Sequence, residues 1–182
     1  PDQVRRAGDA AAAPAVDPGE VGKAEPGRPP DVQVLCWSPR IFLFNNFLSG
    51  EECHHLINLA RPFLRAAMVL NRRTGKKVHD QARTSRNARL INPIRDVLVD
   101  HVESRLAQCS LLPRENGEPI TILRYGPGDE YKPHSDYYDP RHPGSSTGLA
   151  LGGQRIATFL AYLNSVEAGG ATGTVKQMNL FT

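Results

Sequence analysis

The chain has 182 residues, of which 40% are hydrophobic and 23% are charged, and its formal net charge is +3. This composition predicts a soluble, globular chain with one sizeable core. Because the charge is mild and no basic block alternates with aromatic residues, nucleic acid is not expected as a partner. No apolar run reaches the roughly 18 residues of a membrane span, so any membrane tether is expected outside this chain.

The first 30 residues form a low-complexity segment. They include seven Ala, six Pro and four Gly, and they contain no aromatic residue, Leu or Ile. Such a segment cannot bury enough apolar surface to offset the entropy lost on ordering. We therefore predict a disordered linker or stem over residues 1–30, with the folded domain beginning near Val32.

A strand and a helix are predicted next. The residues IFLFNNF (41–47) are apolar and aromatic, which is typical of a strand. In the following stretch, SGEECHHLINLA, Ser49 and Glu52 form a capping box that predicts the start of a helix. Apolar residues then recur at the spacing of an amphipathic helix, i, i+3, i+4 and i+7. These residues are Cys53, Leu56, Ile57 and Ala60.

Another strand (RAAMVL, 65–70) and an exposed turn (NRRTGKK) precede the second predicted helix. This helix is expected to begin at Asn92–Pro93, where a capping residue precedes a proline at the first helical position. Its expected buried face consists of Ile94, Val97, Leu98, Val102 and Leu106.

Strands predominate in the rest of the sequence. ITILRY (120–125) is expected to lead through the turn GPGDE into a strand that carries His134. After a loop rich in Gly, Pro and Ser (139–153), QRIATFLAYLN is apolar on both faces, as in a central sheet strand. Two helices followed by consecutive strands predict an α+β fold, with helices packed on a β-sandwich or an open barrel.

The stretch EYKPHSDYYDP contains a candidate metal site. Residues i and i+2 of a strand point to the same face, so His134 and Asp136 are expected to project together. One imidazole and one carboxylate supply two of the three ligands of a 2-His-1-carboxylate iron site. Taken alone, the pair is explained equally well as a surface histidine beside a turn carboxylate.

Several separated motifs carry a resemblance to a known family. LRYGPGDEYKPHSDYYDP, GGQRIATFLAYLNSVEAGGAT, WSPRIFLFNNFLSGEECHHLI and ARTSRNARL resemble the prolyl 4-hydroxylase family of iron(II)/2-oxoglutarate dioxygenases, from about Leu35 to Thr172. The resemblance implies a double-stranded β-helix (jelly roll) with flanking N-terminal helices, in a domain over residues 31–172 followed by a divergent tail (173–182). It also implies hydroxylation of proline in peptides or proteins, with Fe(II), 2-oxoglutarate, O2 and ascorbate.

The same resemblance implies roles for individual residues. His134 and Asp136 match the first two iron ligands, and Tyr125 and Thr158 match residues beside the carboxylate of 2-oxoglutarate. A loop that borders the peptide groove is matched by Arg83, Thr84 and Ser85. From their sequence context alone, Tyr125 and Thr158 would be interpreted as rim and packing residues, and Arg83 as a surface charge.

The resemblance ends before the family's third iron ligand, a histidine, and its oxoglutarate-binding lysine. His142 is the only histidine after Asp136, and its turn-rich loop makes it a poor candidate for the third ligand. Lys176 lies in the unmatched tail and is assigned no role. We therefore expect the iron site and the jelly roll to be incomplete at the C-terminal end. A truncated gene model, a retained intron or an alternative transcript would each explain this.

Three functional interpretations follow. The first is a prolyl 4-hydroxylase-type dioxygenase of which this chain is an incomplete copy. The second is a catalytically inactive variant that binds peptide or regulates a partner. A metal hydrolase on a related barrel ranks last, because no candidate general base lies beside the metal. The Pro- and Ala-rich segment favours the lumenal side of the endoplasmic reticulum, whereas a bacterial protein of this kind would be cytoplasmic.

Overall fold

The computed structural model describes residues 30–71 and 73–173. These residues fall into two compact units, one within Pro1–Glu51 and Tyr162–Thr182 and the other within Glu52–Ala161. The predicted linker over residues 1–30 and the tail over 173–182 lie outside the described residues, apart from Pro30 and Gly173. Within the described part, no helix is both long and apolar enough to cross a lipid bilayer.

The first unit contains a β-hairpin. Its antiparallel strands are β1 (Asp31–Trp37) and β2 (Arg40–Asn45). Val34 lies opposite Phe42, and the Trp37 ring packs edge-on against the Phe42 ring at a centroid distance of 6.2 Å. The strand predicted over 41–47 is confirmed by β2, whereas β1 was not predicted.

Helix α1 (Gly50–Ala60) lies where the capping box and the apolar stripe predict it. The stripe residues Cys53, Leu56 and Ala60 are buried, while Ile57 is partly buried. Leu56 is only 2% exposed, and burial of a leucine side chain contributes about 1.5–3 kcal/mol. Burial also raises the pKa of the Cys53 thiol, so this cysteine behaves as a packing residue.

Helix α2 (Val97–Ser110) begins later than the predicted start at Asn92–Pro93. Asp96 lies in extended backbone, and its carboxylate accepts a hydrogen bond from the backbone N–H of Val99 at 3.0 Å. Asp96 is therefore the N-cap. The predicted buried face was partly wrong, because Val97 in the first turn is 68% exposed. The buried residues of α2 are Val99 and Val102.

Short antiparallel strands make up the sheets of the second unit. A three-stranded sheet has the order β3-β6-β7, and its strands are β3 (Arg65–Ala66), β6 (Arg86–Arg89) and β7 (Thr121–Arg124). A separate hairpin consists of β4 (Val69–Leu70) and β5 (Lys77–Val78). The strands predicted over 65–70 and 120–125 coincide with parts of these elements. The predicted loop over 139–153 contains the helix α3 (Ser146–Gly152).

The core of the second unit draws its buried residues from the two long helices, the three-stranded sheet and the residues beside them. Leu90, which follows β6, is fully buried, as are Val99 of α2 and Ala60 of α1. The buried apolar residues of this unit are Cys53, Leu56, Ala60, Leu64, Ala67, Ala88, Leu90, Val99, Val102 and Ile122. This core supports the sheet from which the candidate site extends.

Two predicted strands are not formed. Between β7 and residue 161 the backbone contains no strand, and Tyr131 forms only an isolated bridge with Arg83. In the run QRIATFLAYLN, Ile156 is 77% exposed and Leu160 is 52% exposed. A strand requires a neighbour that accepts its backbone hydrogen bonds, and the described residues supply none beside these segments. The chain is α+β as predicted, whereas the jelly roll stays a prediction.

Candidate functional site

The loop that contains Arg83 is paired with the segment before His134. Arg83 forms an antiparallel bridge with Tyr131. On either side of the bridge, the Thr84 N–H donates to the Glu130 carbonyl at 3.0 Å and the Lys132 N–H donates to the Ala82 carbonyl at 2.9 Å. Backbone pairing therefore brings the predicted substrate loop beside the predicted metal ligands.

Side chains of the same loop reinforce this pairing. The Thr84 hydroxyl accepts from the Glu130 N–H at 2.9 Å and donates to the Glu130 carbonyl at 3.3 Å. Ser85 is fully buried, and its hydroxyl accepts from Arg83 Nε at 3.3 Å. Thr84 and Ser85 thus hold the loop in place, while Arg83 extends toward the segment that carries His134.

Three side chains are stacked in series. The Arg83 guanidinium lies over the Tyr131 ring, 4.6 Å from its centroid. The other partner of Tyr131 is His134, whose ring is nearly parallel at 18° with a centroid distance of 3.6 Å. A cation over an aromatic face is attractive, and the Tyr131 and His134 rings are in face-to-face contact. The stack connects the loop directly to the candidate metal ligand.

His134 and Asp136 are adjacent, as the sequence predicts, although they do not lie on a strand. His134 Nε2 is 3.6 Å from Asp136 Oδ1. His134 Nδ1 lies 2.9 Å from the Lys132 carbonyl, so its proton is donated there and Nε2 keeps a free lone pair. This arrangement of one bonded and one free ring nitrogen is usual for histidines that bind metals.

The spacing of these two atoms is compatible with one metal ion. Ligand atoms each about 2.1 Å from a metal lie about 3.0–3.4 Å from one another, slightly closer than the 3.6 Å between His134 Nε2 and Asp136 Oδ1. A small side-chain movement would close the difference. Among residues 30–71 and 73–173, no three His, Cys, Asp or Glu side chains are grouped so as to hold a metal.

Asp136 has two further neighbours from the segment after α3. Thr158 Oγ1 donates to Asp136 Oδ2 at 2.7 Å, and Arg155 Nη1 lies 3.8 Å from Asp136 Oδ1. Arg155 also forms a two-point ion pair with Glu118, with 2.8 Å between Nη2 and Oε2. The hydrogen bond from Arg155 lowers the pKa of Glu118 and raises that of Arg155, so both groups are charged near neutral pH.

A second connection joins the same two segments. The Gln154 side chain bonds both backbone groups of Tyr138, accepting from its N–H at 2.8 Å and donating to its carbonyl at 2.9 Å. The Arg155 guanidinium lies 4.6 Å from the centroid of the Tyr138 ring. These side chains hold residues 136–138 beside 154–158 in the absence of a strand ladder.

Tyr131, Gln154, Arg155 and Glu118 are site residues that the sequence analysis missed. One signal was available, because Arg155 is a charged residue at the start of the apolar run QRIATFLAYLN. A charge in a predicted central strand requires a partner. The partner Glu118 lies 37 positions away, and no local pattern connects the two.

Among the described residues, Tyr125 and His142 form no hydrogen bond, ion pair or ring contact with this cluster. Tyr125 follows β7 and is 44% exposed, so its predicted role at a cofactor carboxylate stays a prediction. His142 Nε2 is 3.8 Å from Asp139 Oδ2. Asp139 in turn accepts hydrogen bonds from the Arg141 side chain and backbone, which hold the pKa of this carboxyl well below its usual range.

A surface cavity of about 390 Å³ lies beside the Arg83 loop. Its lining includes all three residues of the predicted substrate loop and is formed by Ala66, Ala67, His79, Asp80, Gln81, Arg83, Thr84 and Ser85.

Comparison with curated proteins finds relatives named prolyl 4-hydroxylases. The chain is 44% identical over 144 residues to probable prolyl 4-hydroxylase 7 of Arabidopsis thaliana, an alignment that covers 79% of the chain and 44% of the relative. From the same plant, probable prolyl 4-hydroxylase 8 is 40% identical (78% and 47% covered) and prolyl 4-hydroxylase 1 is 43% identical (77% and 48% covered). The chain spans about half the length of the curated relatives it matches. No family model matches the chain.

Proposed function

Because the chain belongs to the prolyl 4-hydroxylase family, we propose that its His134–Asp136 pair serves in the hydroxylation of proline in peptides or proteins. The observation that supports this most strongly is the pair itself. Its Nε2 and Oδ1 atoms are 3.6 Å apart, and the other histidine nitrogen is bonded to the Lys132 carbonyl. An imidazole oriented by its second nitrogen is prepared for metal binding.

In the proposed centre, His134 Nε2 and Asp136 Oδ1 hold Fe(II). The bound iron supplies oxidation of proline by O2, coupled to decarboxylation of 2-oxoglutarate to succinate, with ascorbate as reductant. The third ligand of a facial triad is proposed to come from outside the described residues. Residues 174–182 (TVKQMNLFT) contain no His, Cys, Asp or Glu, so that part of the chain does not offer one.

The remaining roles concern the protein's own side chains. We propose that the peptide lies along the cavity beside the Arg83 loop, with Tyr131 between the cavity and the metal ligands. Arg83 is held by Ser85 and by the Tyr131 ring, so it is positioned before a substrate arrives, which lowers the entropy lost on binding. Tyr125 is proposed to donate its hydroxyl to the 2-oxoglutarate carboxylate.

A second candidate function is a catalytically inactive protein that binds proline-containing peptides. The observation that favours it is the lack of a third metal-binding side chain beside His134 and Asp136 within the described part of the chain. The Arg83 loop and its cavity do not depend on the metal, so peptide binding would survive without turnover.

Succinate formation tests the proposal. The 182-residue chain and a chain extended with the C-terminal region of an Arabidopsis relative would be incubated with 2-oxoglutarate, Fe(II), ascorbate and a poly-proline peptide. We expect peptide-dependent succinate and hydroxyproline from the extended chain, and much less from the 182-residue chain, because two ligands position iron less firmly than three. His134→Ala in the extended chain is expected to abolish both products.

Hydroxyproline formation by the His134→Ala variant would contradict the proposal. A folded extended chain that binds the peptide without turnover would support the inactive binding protein instead. Full turnover by the 182-residue chain would show that the third ligand lies within it, with His142 as the first residue to test.

A further inference from the structure

We propose that the turn between β4 and β5 selects, among proline-containing peptides, those that carry acidic residues beside the proline run. The side chains that make this selection are Arg73, Lys76 and Lys77, here called the basic turn. This inference rests on the proposed function, because it names the substrate class of the cavity beside the Arg83 loop. It concerns peptide binding alone and does not depend on a metal ion.

The hairpin that carries the basic turn begins and ends at this cavity. Leu70 of β4 pairs with Lys77 of β5. The cavity lining includes Ala67, two positions before β4, and His79, which follows β5 directly. A peptide that lies in the cavity and continues along the hairpin therefore reaches the basic turn.

The backbone of the turn has a defined shape. The Asn71 carbonyl accepts from the Gly75 N–H at 2.8 Å, and the Asn71 N–H donates to the Lys76 carbonyl at 2.9 Å. The Asn71 side-chain oxygen accepts from the N–H groups of Arg73 and Thr74, both at 3.0 Å. Basic groups on an ordered turn lose less entropy on binding than the same groups on a flexible loop.

The tip of the hairpin also packs against another part of the second unit. Gly75 has a φ of +69°, and a Cβ atom added there would come 3.3 Å from the Cα atom of Gly144. Gly144 is buried in the segment before α3. The hairpin is therefore held at its tip as well as at its two ends, which gives the basic turn a fixed position relative to the cavity.

The three basic side chains are available to a ligand. All three are exposed, and within the described part of the chain no carboxylate forms an ion pair with any of them. The sequence contains no Asp or Glu between Arg65 and His79. Asp80, a carboxylate of the cavity lining, accepts a hydrogen bond from the Ala82 N–H at 2.8 Å. Acidic side chains of a bound peptide would supply the partners that the basic turn lacks.

The spacing along the hairpin predicts where those acidic residues lie. Lys77 and Lys76 precede His79 by two and three positions, and an extended chain advances about 3.3 Å per residue. Their Cα atoms are therefore about 7–10 Å from the cavity lining. A proline-rich peptide advances about 3.1 Å per residue, so acidic residues about two to four positions from the residue in the cavity come beside the two lysines.

The test is the affinity of the 182-residue chain for three labelled peptides, measured by fluorescence anisotropy without metal or 2-oxoglutarate. Each peptide has a central proline run, flanked on both sides by Glu, Gln or Lys. One exposed ion pair changes affinity by up to about fivefold. We expect the Glu peptide to bind about 5- to 25-fold more tightly than the Gln peptide at low salt, and the difference to shrink at about 1 M salt.

Exchanging the charges of the turn should exchange the preference. Lys76→Gln with Lys77→Gln is expected to bring the ratio of the two dissociation constants close to one, and Lys76→Glu with Lys77→Glu to favour the Lys peptide. The matched control, Arg40→Gln with Arg61→Gln, removes two positive charges from exposed positions outside the hairpin and should keep the ratio of the wild type. Circular dichroism establishes that each variant is folded.

The outcomes separate this inference from the proposed function. Equal affinity of the wild type for all three peptides, or a preference for Glu that survives both lysine exchanges, would overturn the inference and leave the proposed function standing. Binding to phosphatidylserine vesicles that requires the basic turn, together with equal affinity for the peptides, would identify a membrane contact and overturn it as well. Binding of none of the peptides would contradict the proposed function, and this inference with it.

Discussion

Two close neighbours in the sequence fix the orientation of His134. The Lys132 carbonyl accepts the Nδ1 proton at 2.9 Å, and the Tyr131 ring covers one face of the imidazole at 3.6 Å. The first contact selects the tautomer that leaves Nε2 free, and the second limits rotation of the ring. Tyr131 is in turn bridged to Arg83, so the loop that contains Arg83 contacts the residue that covers the candidate metal ligand.

Removing the Tyr131 ring should therefore weaken metal binding. Face-to-face contact of the two rings brings several atom pairs together at about 0.1–0.2 kcal/mol each, so loss of the Tyr131 ring is expected to cost about 0.5–1.5 kcal/mol, or about 2- to 10-fold in affinity. Tyr131→Ala is expected to raise the Mn²⁺ Kd by that factor, whereas Tyr131→Phe, which keeps the ring, should not. An equal increase of the Mn²⁺ Kd in both variants would show that the phenolic hydroxyl of Tyr131, and not the ring stacking, supports metal binding.

The ion pair between Glu118 and Arg155 predicts a pH dependence of stability. The hydrogen bond from Arg155 lowers the pKa of Glu118 in the folded chain below its ordinary value of 4.5. At pH values above 4.5 the ionised Glu118 carboxylate therefore stabilises the folded chain. This contribution is lost as the pH falls through the lower, folded-state pKa. Glu118 is more than half exposed, so solvent screens the pair and the effect is modest.

Glu118→Gln should accordingly make stability less sensitive to acid. Urea unfolding of the wild type and the variant at about pH 7 and about pH 3.5 measures this difference. We expect the variant to be less stable than the wild type at the higher pH and the gap to narrow at the lower pH. If the difference in stability between the wild type and Glu118→Gln were the same at both pH values, the charge of the Glu118 carboxylate would not contribute to stability.

At the scale of elements, helix α3 packs against Tyr138, a residue beside the candidate site. Gly148 in α3 lies against this ring, and a Cβ atom added at Gly148 would come 2.7 Å from Tyr138 Cζ. The backbone of Tyr138 is held by the Gln154 amide, and its ring is covered by the Arg155 guanidinium. The ring therefore has little room to move without disturbing the side chains that reach Asp136.

Gly148→Ala is expected to destabilise the folded chain by about 1–3 kcal/mol, the usual range for overpacking. Gly152→Ala in the same helix is the matched control, because a Cβ there meets nothing within 4 Å. Alanine also favours the helix over glycine by about 1 kcal/mol, so the control should be neutral or stabilising. Similar midpoints of thermal unfolding for the two variants would contradict this packing.

Elements with a complete local signal were predicted well, and those that depend on distant partners were not. The capping box and the spacing of Cys53, Leu56 and Ala60 suffice to define α1. At α2, two caps compete, and Asp96 rather than Asn92 is used because its carboxylate bonds the Val99 N–H. The strands predicted around His134 and in QRIATFLAYLN required neighbours that no local pattern specifies.

At the scale of the whole molecule, the sequence predicted the proximity of His134 and Asp136 for a partly wrong reason. Their expected common direction came from a strand, whereas the structure joins them in an irregular segment. What holds this segment is a set of side chains from elsewhere in the chain, Arg83, Arg155 and Thr158. The family resemblance assigned Arg83 to the peptide groove and Thr158 to the 2-oxoglutarate carboxylate. The sequence analysis did not identify Arg155.

The central claim is that His134 is a ligand of a metal ion, and pulsed EPR tests it most directly. In the chain loaded with one equivalent of Mn²⁺, a coordinated imidazole nitrogen modulates the electron spin echo. The account predicts this nitrogen signal in the wild type, its loss in His134→Ala, and its persistence in His101→Ala, a control at an exposed histidine of α2. A nitrogen signal that survives in His134→Ala, or that is missing from the wild type, would contradict the account.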